Sequence, residues 1–245
     1  MKLLGGETTL NGEIIFTSEN FTVTGSYEGN EIRTFYSGNY KSIYRSFWGK
    51  FLDRWMPFDY SQDSRVLKIN IMPLLFIILY VTDKMYFHIN LATYFYLTFY
   101  LVLLVIAKCN DQLIRLHGAE HKVAVYYIDS GGLKDLSGIL NTRRTTIKCG
   151  IIHDMFELIF FCIAAMLIKD SLIAAVLSYI IGYLSYYTVL DHENLRKNIV
   201  IMPILKISEF VQEKLMTAEP SGNDIALAIA VIERLEELEN GMNKF

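Results

Sequence analysis

The chain has 245 residues, enough for one or two modest domains. Hydrophobic residues make up 52% and the net charge is −3, so nothing in the charge balance points to nucleic acid as a partner. Cys109, Cys149 and Cys162 do not form a disulfide framework, and a reducing compartment suits them, Cys149 above all. Met1 to Gly6 is short and followed by polar sequence, so no signal peptide is expected.

Residues 1–40 read as a small antiparallel β-meander. Ile14-Ile15-Phe16, Phe21-Thr22-Val23-Thr24 and Ile32-Arg33-Thr34-Phe35 are strand-like, with a turn at Glu28-Gly29-Asn30. Residues 44–56 mix Tyr44, Phe47, Trp48, Phe51 and Trp55 with Arg45, Lys50 and Arg54. That composition suits an amphipathic helix in a membrane interface, and equally a core helix packed on the sheet.

Four stretches read as transmembrane helices: residues 67–82, 91–107, 150–168 and 172–190. The first is short in its apolar part, with Asn70 and Pro73 near its start. The third is apolar except for His153, Asp154 and Glu157 in its opening turns. Two tight hairpins of apolar helix are hard to bury in a soluble chain of this size. Between the second and third spans, residues 108–122 read as a cytosolic extension of the second helix. Residues 123–128 have strand character, and Ser130-Gly131-Gly132 is a turn. The tail reads as a helix at 205–216, a break at Glu219-Pro220-Ser221-Gly222 and an amphipathic helix at 224–238 with Ile225, Ala228, Ile229, Ile232 and Leu235 on one face.

Lysine and arginine set the expected orientation. There are eight up to Lys68, one (Lys84) in the first short link, seven from Lys108 to Lys148, one (Lys169) in the second link and six in the tail. Both termini and the middle segment are therefore expected on the cytoplasmic side of a cytoplasmic membrane. The fold class is mainly α: a four-span helical membrane protein with a small cytosolic β-meander at its N-terminus. It divides into a cytosolic region at 1–66, a membrane domain at 67–190 with a cytosolic insert at 108–149, and a cytosolic helical tail at 191–245.

The sharpest chemical motif is His117-Gly118-Ala119-Glu120-His121, of the form H-x-x-E-H. On a helix, residues i and i+4 share a face, so His117 and His121 can reach one divalent metal, with zinc favoured. Glu120 is placed to act as general base toward water polarised by such an ion. Cys149, just before the third span, and His153, in its first turn, are candidate further ligands. Asp191, His192 and Glu193 read as a solvated cap after the fourth span, though Glu193 lies at a separation where some H-x-x-E-H enzymes place a third ligand. Cys109 and Cys162 read as structural. Glu157, within the third span, needs a histidine, an arginine or a metal as partner.

Arg115-Leu116-His117-Gly118-Ala119-Glu120-His121-Lys122, then Cys149-Gly150, the tail Lys214-Leu215-Met216-Thr217-Ala218-Glu219-Pro220 with Ala226 to Ala230, and the opening Gly5-Gly6 together resemble the domain-of-unknown-function 1385 family. These are bacterial membrane proteins often labelled metal-dependent enzymes. The resemblance implies a topology and a site but no reaction. Family members tend to carry a histidine two residues before the cysteine and a threonine after Cys-Gly, where this chain has Ile147 and Ile151. The glutamate usual near the end of the fourth span is replaced here around Tyr186 and Tyr187, and the segment after Gly5-Gly6 is altered. His153 then stands in for the lost histidine, or the site has degenerated.

Two functions compete on this reading. One is a metal-dependent hydrolase acting on a lipid-linked or membrane-proximal substrate. The other is a non-catalytic membrane scaffold or assembly factor with a structural or degenerate metal site. A transporter or channel is a weaker third, because the middles of the spans lack charge. Expected partners are membrane lipid and a second copy or another membrane protein.

Overall fold

The structure, a computed structural model, describes residues 1–9, 11–38, 58–60, 67–69, 71–87 and 90–242. The expected interfacial helix at 44–56 lies outside them. The protein is mainly helical with an N-terminal four-stranded antiparallel sheet. It divides into two compact units, one made of residues 1–39, 104–149 and 205–245, the other of 40–103 and 150–204.

In the first unit, β1 (Gly5–Thr8), β2 (Ile14–Thr17), β3 (Phe21–Glu28) and β4 (Glu31–Gly38) pair in sequence order. The β3–β4 register pairs Phe21 with Gly38 and Glu28 with Glu31, leaving a two-residue turn. Gly29 opens that turn at φ +64, a region open to glycine and the one that tight hairpins beginning with glycine require. Alternation then sends Ile14, Phe16 and Val23 to one face, where all three are fully buried.

Two helices cover that face. One runs Asp111–Ser130 and the other Gly222–Met242. Leu116, Ala119, Val123 and Tyr127 of the first, spaced three and four residues apart, join Ile225, Leu227, Ala228, Val231, Ile232 and Leu235 of the second in one apolar core. Ser221 and Asp224 bond reciprocally at the start of the last helix, in the manner of a capping box. Glu239 near its end accepts from the Ser18 hydroxyl and from the backbone and side-chain N–H groups of Asn20, tying it to the β2–β3 turn.

Two expectations for the middle segment are corrected. The helix ending at Cys109 does not run on to residue 122. Asn110 leaves helical geometry at φ −105, ψ 90, and its side chain caps a new helix by accepting from the Leu113 amide at 3.0 Å. Residues 123–128 are not a strand either. They are the last turns of Asp111–Ser130, which closes on Gly131 at φ +70. The β-branched and aromatic run Val123 to Ile128 leans toward strand by less than about 1 kcal/mol per residue, and burying Val123 and Tyr127 against the sheet outweighs it.

The second unit is helical. It contains Ile71–Thr82, continued by a π-helical turn at Asp83–Phe87, most of Leu91–Cys109, then Gly150–Leu167 and Ser171–Asp191. Phe58–Tyr60 and Leu67–Ile69 pair as a two-stranded ribbon. Leu91–Cys109, Gly150–Leu167 and Ser171–Asp191 are long and apolar enough to cross a membrane. The first expected span is represented by the 12-residue helix Ile71–Thr82, about 18 Å long at 1.5 Å per residue. Asp170 caps the fourth expected span, accepting from the amides of Leu172 and Ile173, and also takes the Tyr80 hydroxyl and the Lys84 ammonium. A stripe of small residues, Ala174, Ala175, Ser178 and Gly182, is buried along Ser171–Asp191. A Cβ on Gly182 would press on the backbone of Glu157, so the last two helices touch almost backbone to backbone there.

Leu227 is fully buried where the last helix meets β3; a Cβ on Gly25 would overlap Val231 and crowd Leu227. Leu227→Ala should destabilise the sheet unit by about 2–5 kcal/mol. Hydrogen exchange at the β3 amides in the full-length protein checks this. Unchanged protection of β3 would place the core elsewhere.

Candidate metal centre

The helix Asp111–Ser130 presents His117 and His121 on one face, with ring centroids 4.4 Å apart. Each ring is anchored through Nδ1 by a backbone carbonyl from a distant segment. His117 Nδ1 lies 3.0 Å from the Met216 carbonyl oxygen and His121 Nδ1 lies 2.5 Å from that of Arg144. A carbonyl only accepts, so both Nδ1 atoms carry the proton and both Nε2 atoms keep their lone pairs. Those lone pairs face inward. His117 Nε2 is 3.6 Å and His121 Nε2 3.8 Å from the same oxygen of Glu120. Cys149 Sγ stands 3.8 Å from His117 Nε2.

His117, His121 and Cys149 each offer one ligand atom within 4.8 Å of the others. An ion at about 2.0–2.3 Å from each needs them somewhat closer, a shift of about half an ångström. The donor set and the anchored Nδ1 groups fit a metal ion. They match the arrangement in which an outer acceptor fixes the tautomer and aim of a ligating imidazole.

Burial sets the charge state. It pushes His121 down to about 3, with help from His117 beside it and against the pull of the Arg144 carbonyl. Burial also lowers His117, opposed by the Met216 carbonyl. Burial raises Glu120 to about 8, and the nearby Glu7 charge adds to this. At neutral pH both rings are neutral and Glu120 is largely protonated, so the contacts of Glu120 with the two histidines are approaches of neutral groups rather than ion pairs.

The remaining letters of the motif have their own tasks. A Cβ on Gly118 would collide with the carbonyl of Ala218. Glycine therefore lets residues 216–219 lie flat on the helix, where the Ala218 amide bonds the Ile114 carbonyl at 2.8 Å. Lys122 is buried and donates to the Leu140 carbonyl and to Glu219, both at 2.5 Å; Arg144 reaches the other Glu219 oxygen at 3.5 Å. Gly6 on β1 admits the Glu120 carboxyl in the same way, since a Cβ there would overlap it. Gln212 receives the Thr146 amide on its side chain at 3.0 Å and the Thr217 amide on its carbonyl at 2.8 Å. It joins the loop that carries Cys149 to the strap that carries Met216.

Of the residues expected at the site, His117, Glu120, His121 and Cys149 come together. His153 belongs to a different group, with Asp154 and Glu157, in the helical unit. Asp191, His192 and Glu193 are exposed, with His192 ending Ser171–Asp191 and Glu193 opening a short 3-10 turn. Cys109 and Cys162 are exposed. Lys122, Gln212, Arg144 and the Met216 carbonyl were not anticipated. Lys122 and Glu219-Pro220 were visible only as conspicuous letters, and a main-chain carbonyl carries no letter at all.

Residues 63–238 match the family described as Protein of unknown function (DUF1385). The chain belongs to that family. No curated protein and no solved structure matches it.

Gly118→Val should lift the strap off the helix. The expected readout is faster hydrogen exchange at the Ala218 amide and release of Glu219 from Lys122, with the β2–β3 amides still protected. Normal protection at Ala218 in that variant would refute the close approach.

Proposed function

We propose that this chain is a multi-pass membrane protein whose sheet-bearing unit holds a divalent metal ion, most simply zinc, on His117, His121 and Cys149. The observation that carries the reading is the paired setting of the imidazoles. Each gives Nδ1 to a backbone carbonyl and turns Nε2 toward a common Glu120 oxygen. Two imidazoles and a thiol are a donor set for a borderline-soft cation. A bound ion would supply Lewis acidity toward a carbonyl or phosphoryl oxygen.

In this reading a cation held beside Glu120 would favour its ionised form, and Glu120 is the group that takes up and returns a proton in a hydrolytic reaction. Its carboxyl is buried beside both ligand atoms. The substrate class is lipid-linked or membrane-proximal, because Cys149 is followed directly in the chain by the apolar helix Gly150–Leu167. Four crossings, with both termini and the metal unit on the cytoplasmic side, agree with the lysine and arginine distribution. They require residues 71–87 to serve as the first crossing.

A second reading rests on the same carboxyl. At 3.6 and 3.8 Å from the two Nε2 atoms, Glu120 also stands where a fourth ligand would. Four protein ligands close a site and make it structural, which suits a scaffold or assembly factor.

Metal content of the purified full-length protein tests the proposal. His117→Ala/His121→Ala should lose one equivalent of zinc relative to the unmodified chain, and an unchanged content would end the reading. Glu120→Gln separates the two roles. It should leave zinc affinity within a few-fold if Glu120 moves protons, and weaken it at least tenfold if Glu120 is a ligand. For the orientation, a green fluorescent protein fused after residue 245 should fluoresce; a dark fusion combined with an active alkaline phosphatase fusion would favour three crossings.

A further inference from the structure

The helical unit carries a second group of ligating side chains that the centre on His117 and His121 does not use. His153, Asp154 and Glu157 lie in the first two turns of Gly150–Leu167, and each places one ligand atom within 4.8 Å of the others. His153 Nδ1 is 3.4 Å from Asp154 Oδ1 and 4.0 Å from Glu157 Oε2. Both are longer than a good hydrogen bond. They fall within the spacing of two donors that share one ion at about 2.0–2.2 Å. The other ring nitrogen, Nε2, is buried and has no hydrogen-bond partner among the described residues. The imidazole is therefore held in place without a well-made hydrogen bond at either nitrogen.

What holds it is aromatic. Tyr179, Tyr183 and Tyr186 of Ser171–Asp191 present ring edges or faces to it, with centroids at 5.6, 6.1 and 5.9 Å. Glu157 is fully buried, and its Oε1 accepts the Tyr96 hydroxyl, which orients the carboxyl and leaves Oε2 on the His153 side. The exposure rises along the group, from 0% for Glu157 through 13% for the His153 side chain to 31% for Asp154. A cation thus has an entrance at Asp154 and a closed end at Glu157.

We propose that His153, Asp154 and Glu157 form a second divalent-cation site within the helical unit, with Tyr96 positioning the Glu157 carboxyl. Two carboxylates with one imidazole favour an ion of the manganese, iron or zinc type over a thiophilic one. The site shares no residue with the His117 centre and stands or falls separately from it.

Cobalt(II) titration of the full-length protein in detergent micelles tests this. The unmodified chain should bind two equivalents. His117→Ala/His121→Ala should retain one, with the weak visible absorption of an oxygen-rich, five- or six-coordinate ion and no sulfur-to-metal charge-transfer band. Adding Glu157→Gln to that variant should abolish the remaining equivalent. Asp154→Asn, a change at the partly exposed end that leaves the helix contacts in place, should weaken it at least tenfold. Conversely, His153→Asn/Glu157→Gln alone should keep one thiolate-type cobalt. A His117→Ala/His121→Ala protein that stays monodisperse and binds no cobalt would overturn the proposal, as would a retained equivalent indifferent to both Glu157→Gln and Asp154→Asn.

Discussion

The close seating of residues 216–219 on the face of Gly118 is the contact on which the His117, His121 and Cys149 cluster depends. It is a backbone-on-backbone contact, since any side chain at 118 would meet the Ala218 carbonyl. From it follow the Met216 carbonyl on His117, the Ala218 amide on Ile114 and the reach of Glu219 to Lys122. A second loop, through Arg144 and Cys149, completes the arrangement from the opposite direction in sequence, and Gln212 joins loop to strap. Polar groups buried this deeply are tolerable because nearly every one is given a defined partner.

The sequence made part of this legible. The i, i+4 spacing of His117 and His121 placed both rings on one face, as found. The meander was visible in its alternation and in Gly29. Cys149 could be named as a candidate beside the histidines from its place just before the third span, and the resemblance added the order of motifs along the chain. The anchoring carbonyls of Met216 and Arg144 were invisible, because main-chain acceptors are the same at every position and only the fold selects two of them. Val123 to Ile128 misled for a physical reason. Strand propensity is a local quantity, whereas the burial that keeps this run helical comes from β2 and from a helix more than a hundred residues away.

Two polar clusters are handled in two ways. In the sheet unit the imidazoles are steered by main-chain oxygen and the ammonium of Lys122 is matched by Glu219 and a carbonyl. In the helical unit most of the main chain is engaged within the helices. There tyrosine rings and one phenolic hydroxyl set the positions of His153 and Glu157. The same side-chain chemistry is organised by loops in one place and by neighbouring helices in the other.

The sheet unit is interleaved with the helical one along the chain, since its three pieces end at residue 39, begin again at 104 and resume at 205. The carbonyl that aims His117 therefore leaves the ribosome about a hundred residues after the ring it aims. Translation delivers the three long apolar helices before the strap that anchors His117, although Arg144 and Cys149 precede two of them. The nascent protein thus passes through a period in which the long apolar helices exist and the His117 ring lacks its Met216 anchor, while Arg144, which anchors His121, has already been made. The aiming of the His117 ring is accordingly completed by residues 216–219, after the long apolar helices have been made.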